Sequence, residues 1–347
     1  MSKRPSSSDS ALTLDEIAAM AGTSKSTVSR VISQDPRISE KTRARVMRVV
    51  NKTHYRPNLF ARALAGGKTG LIGVLSSNIG SGFYAEVIRS IDVVFGQLGK
   101  RLLVSFAHHE DDYTALWQDL VISGRVEGLV LVAPTAEFFK LPLHIDKIPL
   151  VLCTGNPPQN HSAWQNVDRV GMNNGKAMLD MVGHLASLGH RRILHAAGWS
   201  NNSDAIERKQ SFKKACRSFD IHGDVEMFGM IPSDGRETMQ RYLKRNTSLP
   251  DAIIAFNDSV ALGILEAWNE FSGSNQPPPF GLTGWDDSPS SSVIGLTSVS
   301  IPYFQLGEES ARLLHQRING PVTDHGQHRL VDLTLIPRSS SQRVHHA

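Results

Sequence analysis

Two hydrophobic periodicities divide this chain. Up to about residue 53, apolar side chains recur at helical spacing: Ile17, Ala18 and Ala21, then Val28, Val31 and Ile32, then Val46, Val49 and Val50. Each run opens on a residue suited to capping a helix start. Thr13 has Glu16 three positions on, a capping-box spacing; Ser24 follows the turn Gly22-Thr23-Ser24; Ser39 precedes the third run. The pattern predicts three short helices, the second from Lys25 to Ser33. From Gly70 onward the pattern changes. Short apolar runs at 71–77, 101–107, 127–133, 148–154, 191–197, 252–257 and 280–285 alternate with amphipathic stretches at 84–98, 114–123, 171–188, 204–219 and 259–271. Such alternation predicts parallel sheets covered on both faces by helices, and two series of strands predict two α/β subdomains.

Charge is segregated in the same way. Residues 1–68 hold 13 Lys+Arg and 5 Asp+Glu, net +8, whereas the whole chain is +4, so the remaining 279 residues carry 24 Lys+Arg and 28 Asp+Glu, net −4. A basic head on a mildly acidic body is the layout of a nucleic-acid binder with a second task. Cys153 and Cys216 cannot build a disulfide framework, MSKRPSSSDS lacks the apolar core of an export signal, and no apolar run is long enough for a bilayer. We expect a cytoplasmic protein without a membrane association.

In the second helix, inward-facing Val28, Val31 and Ile32 leave Lys25, Ser26, Thr27, Ser29 and Arg30 outward, all hydrogen-bonding types. The N-terminal positions of the second helix of a helix-turn-helix reach base edges, and Arg30 can bond a guanine O6/N7 pair bidentately. On the third helix Arg43, Arg45 and Arg48 are expected on the solvent face. Beyond it, Pro57-Asn58 starts a helix at 59–65 that Gly66-Gly67 stops. So short a helix cannot hold alone, because nucleation costs more than one or two turns return. It is expected to order on docking, presenting Leu64 as an apolar wedge between base steps in the minor groove.

In the body, polar residues stand where predicted strands end: Ser76-Ser77, Thr154, Asn257-Asp258 and Asp286-Asp287, with Arg208 just into the helix after Asn201-Asn202. Ligands of open α/β sheets bind beyond the carboxyl ends of strands, favourably between lobes. Carboxylate, amide, hydroxyl and guanidinium groups beside Phe83, Tyr84, Trp199 and Tyr303 suit a polyol, whose hydroxyls need paired donors and acceptors and whose rings offer flat apolar faces. Taken singly, Asn257-Asp258 reads equally as a helix cap, Asp286-Asp287 as a turn and Arg208 as a surface ion pair. Catalytic signatures are missing: there is no G-x-S-x-G elbow and no H-E-x-x-H helix, and Gly80-Ser81-Gly82 reads as a turn rather than a phosphate cradle. The adjacent pairs His108-His109 and His345-His346 are not metal spacings, so neither enzyme activity, metal nor cofactor is expected.

The motifs LDEIAAMAGTSKSTVSRVI, ISEKTRARV, YRPNLFARALAGGKTGLIGV, LGHRRI, FNDSVALG and GWDD, in that order, resemble the lactose/galactose repressor (LacI/GalR) family from Leu12 to Pro337. The resemblance implies an all-α helix-turn-helix head with a hinge helix, then a periplasmic-binding-protein-like body of two doubly wound α/β subdomains. It implies a homodimer on a palindromic operator, with base contacts from Lys25, Ser26 and Arg30, help from Thr27 and Ser29, and hinge contacts from Asn58 and Leu64. It maps effector contacts onto Arg208, Asn257 and Asp286, and more loosely onto Ser77, Phe83, Tyr84, Thr154, Met230 and Tyr303. Expected boundaries are a tail at 1–11, the head at 12–57, hinge and linker at 58–69, and the body at 70–338. Within the body, one lobe is expected at 70–165 with 301–327, the other at 166–300 with 328–338, and a flexible tail at 339–347. Several sugar-binding members carry aspartate where this chain has Thr154, so free sugar, sugar acid and sugar phosphate all remain open as the effector of a carbohydrate-gene repressor.

Overall fold

The computed structural model describes residues 12–32, 35–53, 55, 68–77, 82–107, 110–157, 162–245, 248–274, 276–320 and 325–342. They form two compact units, 1–69 and 70–347. The expected hinge helix, with Asn58 and Leu64, and the expected tail at 1–11 lie outside the described residues.

The first unit contains α1 (Leu14–Met20), α2 (Lys25–Ile32) and α3 (Glu40–Thr53). The capping box forms: the Thr13 backbone N–H donates to the Glu16 carboxylate at 2.7 Å, and the Glu16 N–H donates to the Thr13 hydroxyl at 3.3 Å. Gly22, at φ +59°, takes the left-handed turn that ends α1, a conformation costly for a side chain with a Cβ. Ser24 caps α2 by accepting from the Thr27 N–H. Ile17, Ala18, Ala21, Val28, Val31, Val46 and Tyr55 form the buried core, with Ile32, Val49 and Val50 packed against it. Arg43 departs from its expected solvent position. It is half-buried and donates to the Asp35 carbonyl at 2.8 Å, tying α3 to the preceding turn.

The second unit has two six-stranded sheets. The first comprises β1 (Leu71–Ser76), β2 (Arg101–Phe106), β3 (Leu129–Val132), β4 (Leu150–Cys153), β5 (Asp168–Met172) and β11 (His328–Val331), all parallel, in the order β11-β5-β4-β3-β1-β2. The second comprises β6 (Arg192–Ala197), β7 (His222–Met227), β8 (Ala252–Ala255), β9 (Gly281–Asp286), β10 (Thr297–Ser300) and β12 (Thr334–Ile336). Its order is β12-β10-β9-β8-β6-β7, parallel except for β12 against β10. The helices are α4 (Gly82–Gln97), α5 (Glu110–Trp117), α6 (Ser162–Gln165), α7 (Asn174–Ser187), α8 (Ser203–Ser218), α9 (Pro232–Arg245), α10 (Asp258–Ser272), α11 (Pro289–Val293) and α12 (Tyr303–Asn319). β3, β4 and β8 are buried at every position, as strands covered on both faces must be, which is why they read as unbroken apolar runs.

The chain passes between lobes three times, and two crossings differ from those expected. β5 belongs to the first sheet, so the first crossing follows Met172 rather than residue 165. β11 also belongs there, so the last follows Val331 rather than residue 327. Neither strand carries an apolar run: β5 alternates buried with half-buried positions and β11 is a largely exposed edge. The 339–342 stretch is not a free tail. Ser339–Ser341 form a helical turn, and Ser341, buried, accepts from buried His190 through its carbonyl at 2.8 Å and meets the Thr297 hydroxyl at 2.9 Å.

In each lobe a glycine lets two helices close tightly. A Cβ on Gly307 of α12 would lie 2.6 Å from the Val87 carbonyl oxygen of α4, and one on Gly263 of α10 would lie 2.1 Å from the Pro232 carbonyl oxygen of α9. Backbone cannot yield as a side chain tip can. Gly263→Ala is therefore expected to cost about 1–3 kcal/mol, the usual penalty of overpacking. Denaturant unfolding of the purified variant checks this, and an unchanged midpoint would contradict the close approach.

Candidate functional site

At the carboxyl ends of the strands the two lobes enclose a cleft of about 1040 Å³. The first lobe contributes Ser77 after β1, Phe83 and Tyr84 at the start of α4, Tyr113, Thr135, Glu137 and Tyr303. The second contributes Trp199, Asn201 and Asn202 after β6, Met230 and Ile231 after β7, Asn257 and Asp258 after β8, and Asp286, Asp287 and Ser288 after β9. Parallel strands place every carboxyl end on one side, so residues far apart in sequence converge.

Backbone strain collects at the same strand ends. Ala133 follows β3 at φ +45°, Thr154 follows β4 at +62°, and Asp286 and Asp287 close β9 at +104° and +51°. A β-branched residue in the left-handed region is an outlier, costing on the order of 1–3 kcal/mol, and persists only where its surroundings over-determine it. Strain of this kind clusters at ligand clamps.

Seven of the nine effector residues expected from the sequence line the cleft: Ser77, Phe83, Tyr84, Met230, Asn257, Asp286 and Tyr303. The Tyr303 hydroxyl donates to the Asp286 carbonyl at 2.7 Å, and Phe83 packs edge-on against Tyr84 and Tyr303 at 5.1 and 6.0 Å. Asn257 does two things. Its side-chain oxygen caps α10 by accepting from the Val260 N–H at 2.8 Å, and its amide donates to the Met230 carbonyl at 3.0 Å. Thus the bland reading of Asn257 as a cap is true, and the residue also joins two cleft loops. Tyr113, inside α5, and Thr135, Glu137 and Ile231, in segments a few residues beyond β3 and β7, carry no local signal that marks them as cleft residues.

Arg208 and Thr154 are not among the lining residues. Arg208 is buried beside the cleft. It donates from Nε to the Asn174 side-chain oxygen at 3.1 Å and from Nη1 to the Phe256 carbonyl at 2.8 Å, with its guanidinium carbon 4.8 and 4.3 Å from the Phe256 and Trp285 ring centres. Asn174 in turn donates to Asp204 and Glu207, each at 3.1 Å. This one cation serves several carboxylates. Burial pulls the Arg208 pKa down while Asp204, Asp286 and Glu207 pull it back up. Burial likewise raises Asp204, Glu207 and Asp258. Asp258 is held by the Ser298 hydroxyl at 2.6 Å and the Ser288 N–H at 2.7 Å, and Asp287 is neutralised by Arg338 at 2.7 Å. Asp286 has no such ion pair among the described residues. Desolvation, opposed by Arg208 and reinforced by Asp258 and Asp204, pushes its carboxyl up to about 7.

In the first unit, Ser26, Ser29 and Arg30 are exposed on the part of α2 that faces away from Val28 and Val31, Lys25 is exposed at its first turn, and Thr27, one turn before Val31, is half-buried. Lys25 pairs with Asp15 at 2.8 Å, an exposed contact worth little in water and readily exchanged for a stronger acceptor.

A helix-turn-helix unit and a two-lobed α/β unit with a polar cleft are the architecture of a DNA-binding regulator. Residues 13–58 match the family described as bacterial regulatory proteins, lacI family, and residues 182–341 match the periplasmic binding protein-like domain. The transcriptional regulator PtxS of Pseudomonas putida is 29% identical across 99% of both chains. The regulator DegA of Bacillus subtilis is 27% identical across 86% of this chain and 89% of its own. Among solved structures, the lac repressor dimer bound to operator and the anti-inducer ONPF superposes with a TM-score of 0.83 at 25% identity, covering 96% of this chain and all of that one. A complex of the regulator CelR with cellobiose gives 0.69 at 26% identity, covering 95% and 99%. The chain thus carries a LacI-family helix-turn-helix domain and a periplasmic-binding-protein-like domain: it is similar throughout to DNA-binding transcription regulators, and these relatives are regulators rather than enzymes. No helix among the described residues is long and apolar enough to cross a membrane.

The Asp286 environment sets a stability signature. Its folded pKa of about 7 lies above the unfolded value of about 3.9, so the native state binds the proton more tightly. The stability this contributes is present below pH 4 and lost as pH rises through 7, at up to about 1.4 kcal/mol per pH unit. Asp286→Asn, which cannot ionise, should therefore gain stability over the parent chain between pH 4 and 7 and keep that gain above it. Thermal melts at pH 4.5 and 8 check this; an identical difference at both would place the Asp286 carboxyl in an ordinary, solvated environment.

Proposed function

We propose that this protein is a homodimeric repressor of carbohydrate-utilisation genes whose affinity for a palindromic operator is set by an uncharged sugar-like ligand in the cleft. One observation carries the ligand class: among the described residues the lining includes Glu86, Glu137, Asp258, Asp286 and Asp287 and no lysine or arginine. Among the described residues, the cations beside the cleft are already engaged: Arg208 is buried and held by Asn174 and the Phe256 carbonyl in the field of nearby carboxylates, and Arg338 pairs with Asp287. A sugar acid or sugar phosphate would meet the remaining carboxylates. A neutral polyol would find carboxylate and amide acceptors for its hydroxyls and the Phe83 and Tyr303 rings for its apolar face. In this reading Arg208 and Thr154 shape the site from outside its lining. The carbohydrate complex of the similar regulator CelR supports the class, and the operator-bound lac repressor dimer supports dimeric DNA reading.

On the DNA side, Lys25, Ser26 and Arg30 read base edges, and Thr27 and Ser29 hold the helix in register. The hinge, with Asn58 and Leu64, contacts the operator centre, where Leu64 wedges into the minor groove. Ligand binding changes operator affinity to the extent that the cleft binds it differently in the two lobe arrangements.

A thermal-shift screen of neutral sugars, sugar acids and sugar phosphates tests the ligand class. Neutral sugars should raise the melting temperature and shift operator affinity; stabilisation by anionic sugars alone would overturn the reading. For the DNA face, Arg30→Ala should lose about 1–3 kcal/mol of discrimination at one base pair of each half-site. A binding-site selection that returns the parent preference would remove Arg30 from base reading.

A further inference from the structure

Of the five tryptophans, Trp117, Trp164 and Trp285 are buried in the core, whereas Trp199 is 43% exposed and lines the cleft. Its loop is firmly held. The Trp199 carbonyl accepts from the Asn202 N–H at 3.1 Å, and the Asn202 side chain caps α8 by accepting from the Ala205 N–H at 2.9 Å. The neighbouring Asn201 carbonyl accepts from the Ala136 N–H at 2.9 Å, a bond from the second lobe to the first. Behind the loop, Gly198 lies so near the Phe256 ring that a Cβ would be 2.8 Å from it. An indole held at a cleft wall with a large part of its surface open to water leaves a flat apolar face unsatisfied, and its pre-organisation lowers the entropic cost of stacking a ligand on it.

Among the described residues Trp199 makes no ring contact with the other aromatic face, in which Phe83 packs on Tyr84 and Tyr303. Phe83 and Tyr303 belong to the first lobe, beside Asp286 and Asn257 in the cleft lining; Trp199 belongs to the second. The Asn201–Ala136 bond ties the segment that carries Glu137 to the loop that carries Trp199, and Asn201, Asn202 and Glu137 all line the cleft. Each face thus has what a pyranose needs: a ring to stack on and polar groups at its edge. The volume agrees. A cleft of about 1040 Å³ slightly exceeds the roughly 300–1,000 Å³ typical of sites for drug-sized molecules, and a single sugar ring would leave much of it to water.

Building on the carbohydrate reading above, we propose that the cleft holds two sugar-ring subsites and that the effector is a disaccharide or longer. One ring lies against Phe83 and Tyr303; the other stacks on Trp199, with Glu137 and Asn201 taking its hydroxyls. Trp199 is then the residue that selects ligand length.

Isothermal titration of the full-length protein tests this with glucose and galactose against cellobiose, maltose, lactose, trehalose and gentiobiose, repeated with Trp199→Ala and Trp199→Phe. At least one disaccharide should bind about tenfold or more tightly than its component monosaccharides. Trp199→Ala should weaken that disaccharide by about tenfold and any monosaccharide by less than about twofold, while Trp199→Phe, which keeps a flat ring, should retain most of the affinity. Monosaccharides binding as tightly as every disaccharide would overturn the two-ring inference and leave the carbohydrate reading standing. So would equal loss for both ligand sizes in Trp199→Ala. Binding of no sugar at all would sink both. A melting temperature for Trp199→Ala matching the parent chain separates a lost stacking face from a damaged fold.

Discussion

A guanidinium taken out of water beside a cleft rich in carboxylates is the constraint around which the body is arranged. Arg208 cannot shed its charge, so burial is tolerable only if its donors and its field are met. Asn174 and the Phe256 carbonyl meet donors, the Phe256 and Trp285 rings cover its faces, and Asp204, Glu207 and Asp286 supply opposing charge. Those partners come from α7, α8 and the ends of β8 and β9, so the second lobe is assembled about one cation. The cost appears at Asp286, whose carboxyl is left with too little positive charge and too little water and titrates near neutrality. A ligand hydroxyl donated to that group would stabilise its ionised form.

Much of this arrangement is legible in the amino-acid sequence, for a physical reason. Strands buried on both faces must be apolar throughout, so β3, β4 and β8 stand out, and the turns that follow β4 and β8 place Thr154 and Asn257. Strands at sheet edges obey no such rule. β7 (HGDVEM) is mostly exposed and β11 mostly polar, so neither announces itself, and the lobe crossings next to β5 and β11 shift accordingly. The cleft divides in the same way. Seven expected residues line it because they end strands or begin helices that end at the cleft. Tyr113, Thr135, Glu137 and Ile231 join them only through tertiary packing, which no local pattern encodes. Arg208 illustrates a subtler gap: its position is predictable, yet whether it faces the ligand or supports the wall depends on Asn174, thirty-four residues earlier.

The head shows the opposite balance. Its three helices are set by local chemistry, through the Thr13–Glu16 box, the Gly22 turn and the Ser24 cap, and its core is small enough that the apolar stripe of each helix specifies the packing. What the stripe buries decides what remains outward on α2, so the residues proposed to read DNA follow from the same pattern that folds the unit. The two units therefore divide the labour: rigid, locally encoded recognition in one, and in the other a cleft whose polar wall is balanced closely enough for a small ligand to tip it.

The central claim is that ligand in the cleft and operator on the head are thermodynamically coupled. The most direct measurement is of both affinities on one sample: operator binding with and without saturating sugar, and sugar binding with and without a selected palindrome. Linkage requires the same factor in both directions, typically about 5–150-fold for a regulatory coupling. The account predicts that equality with a factor well away from one. A sugar that binds the free and operator-bound protein equally well would contradict it.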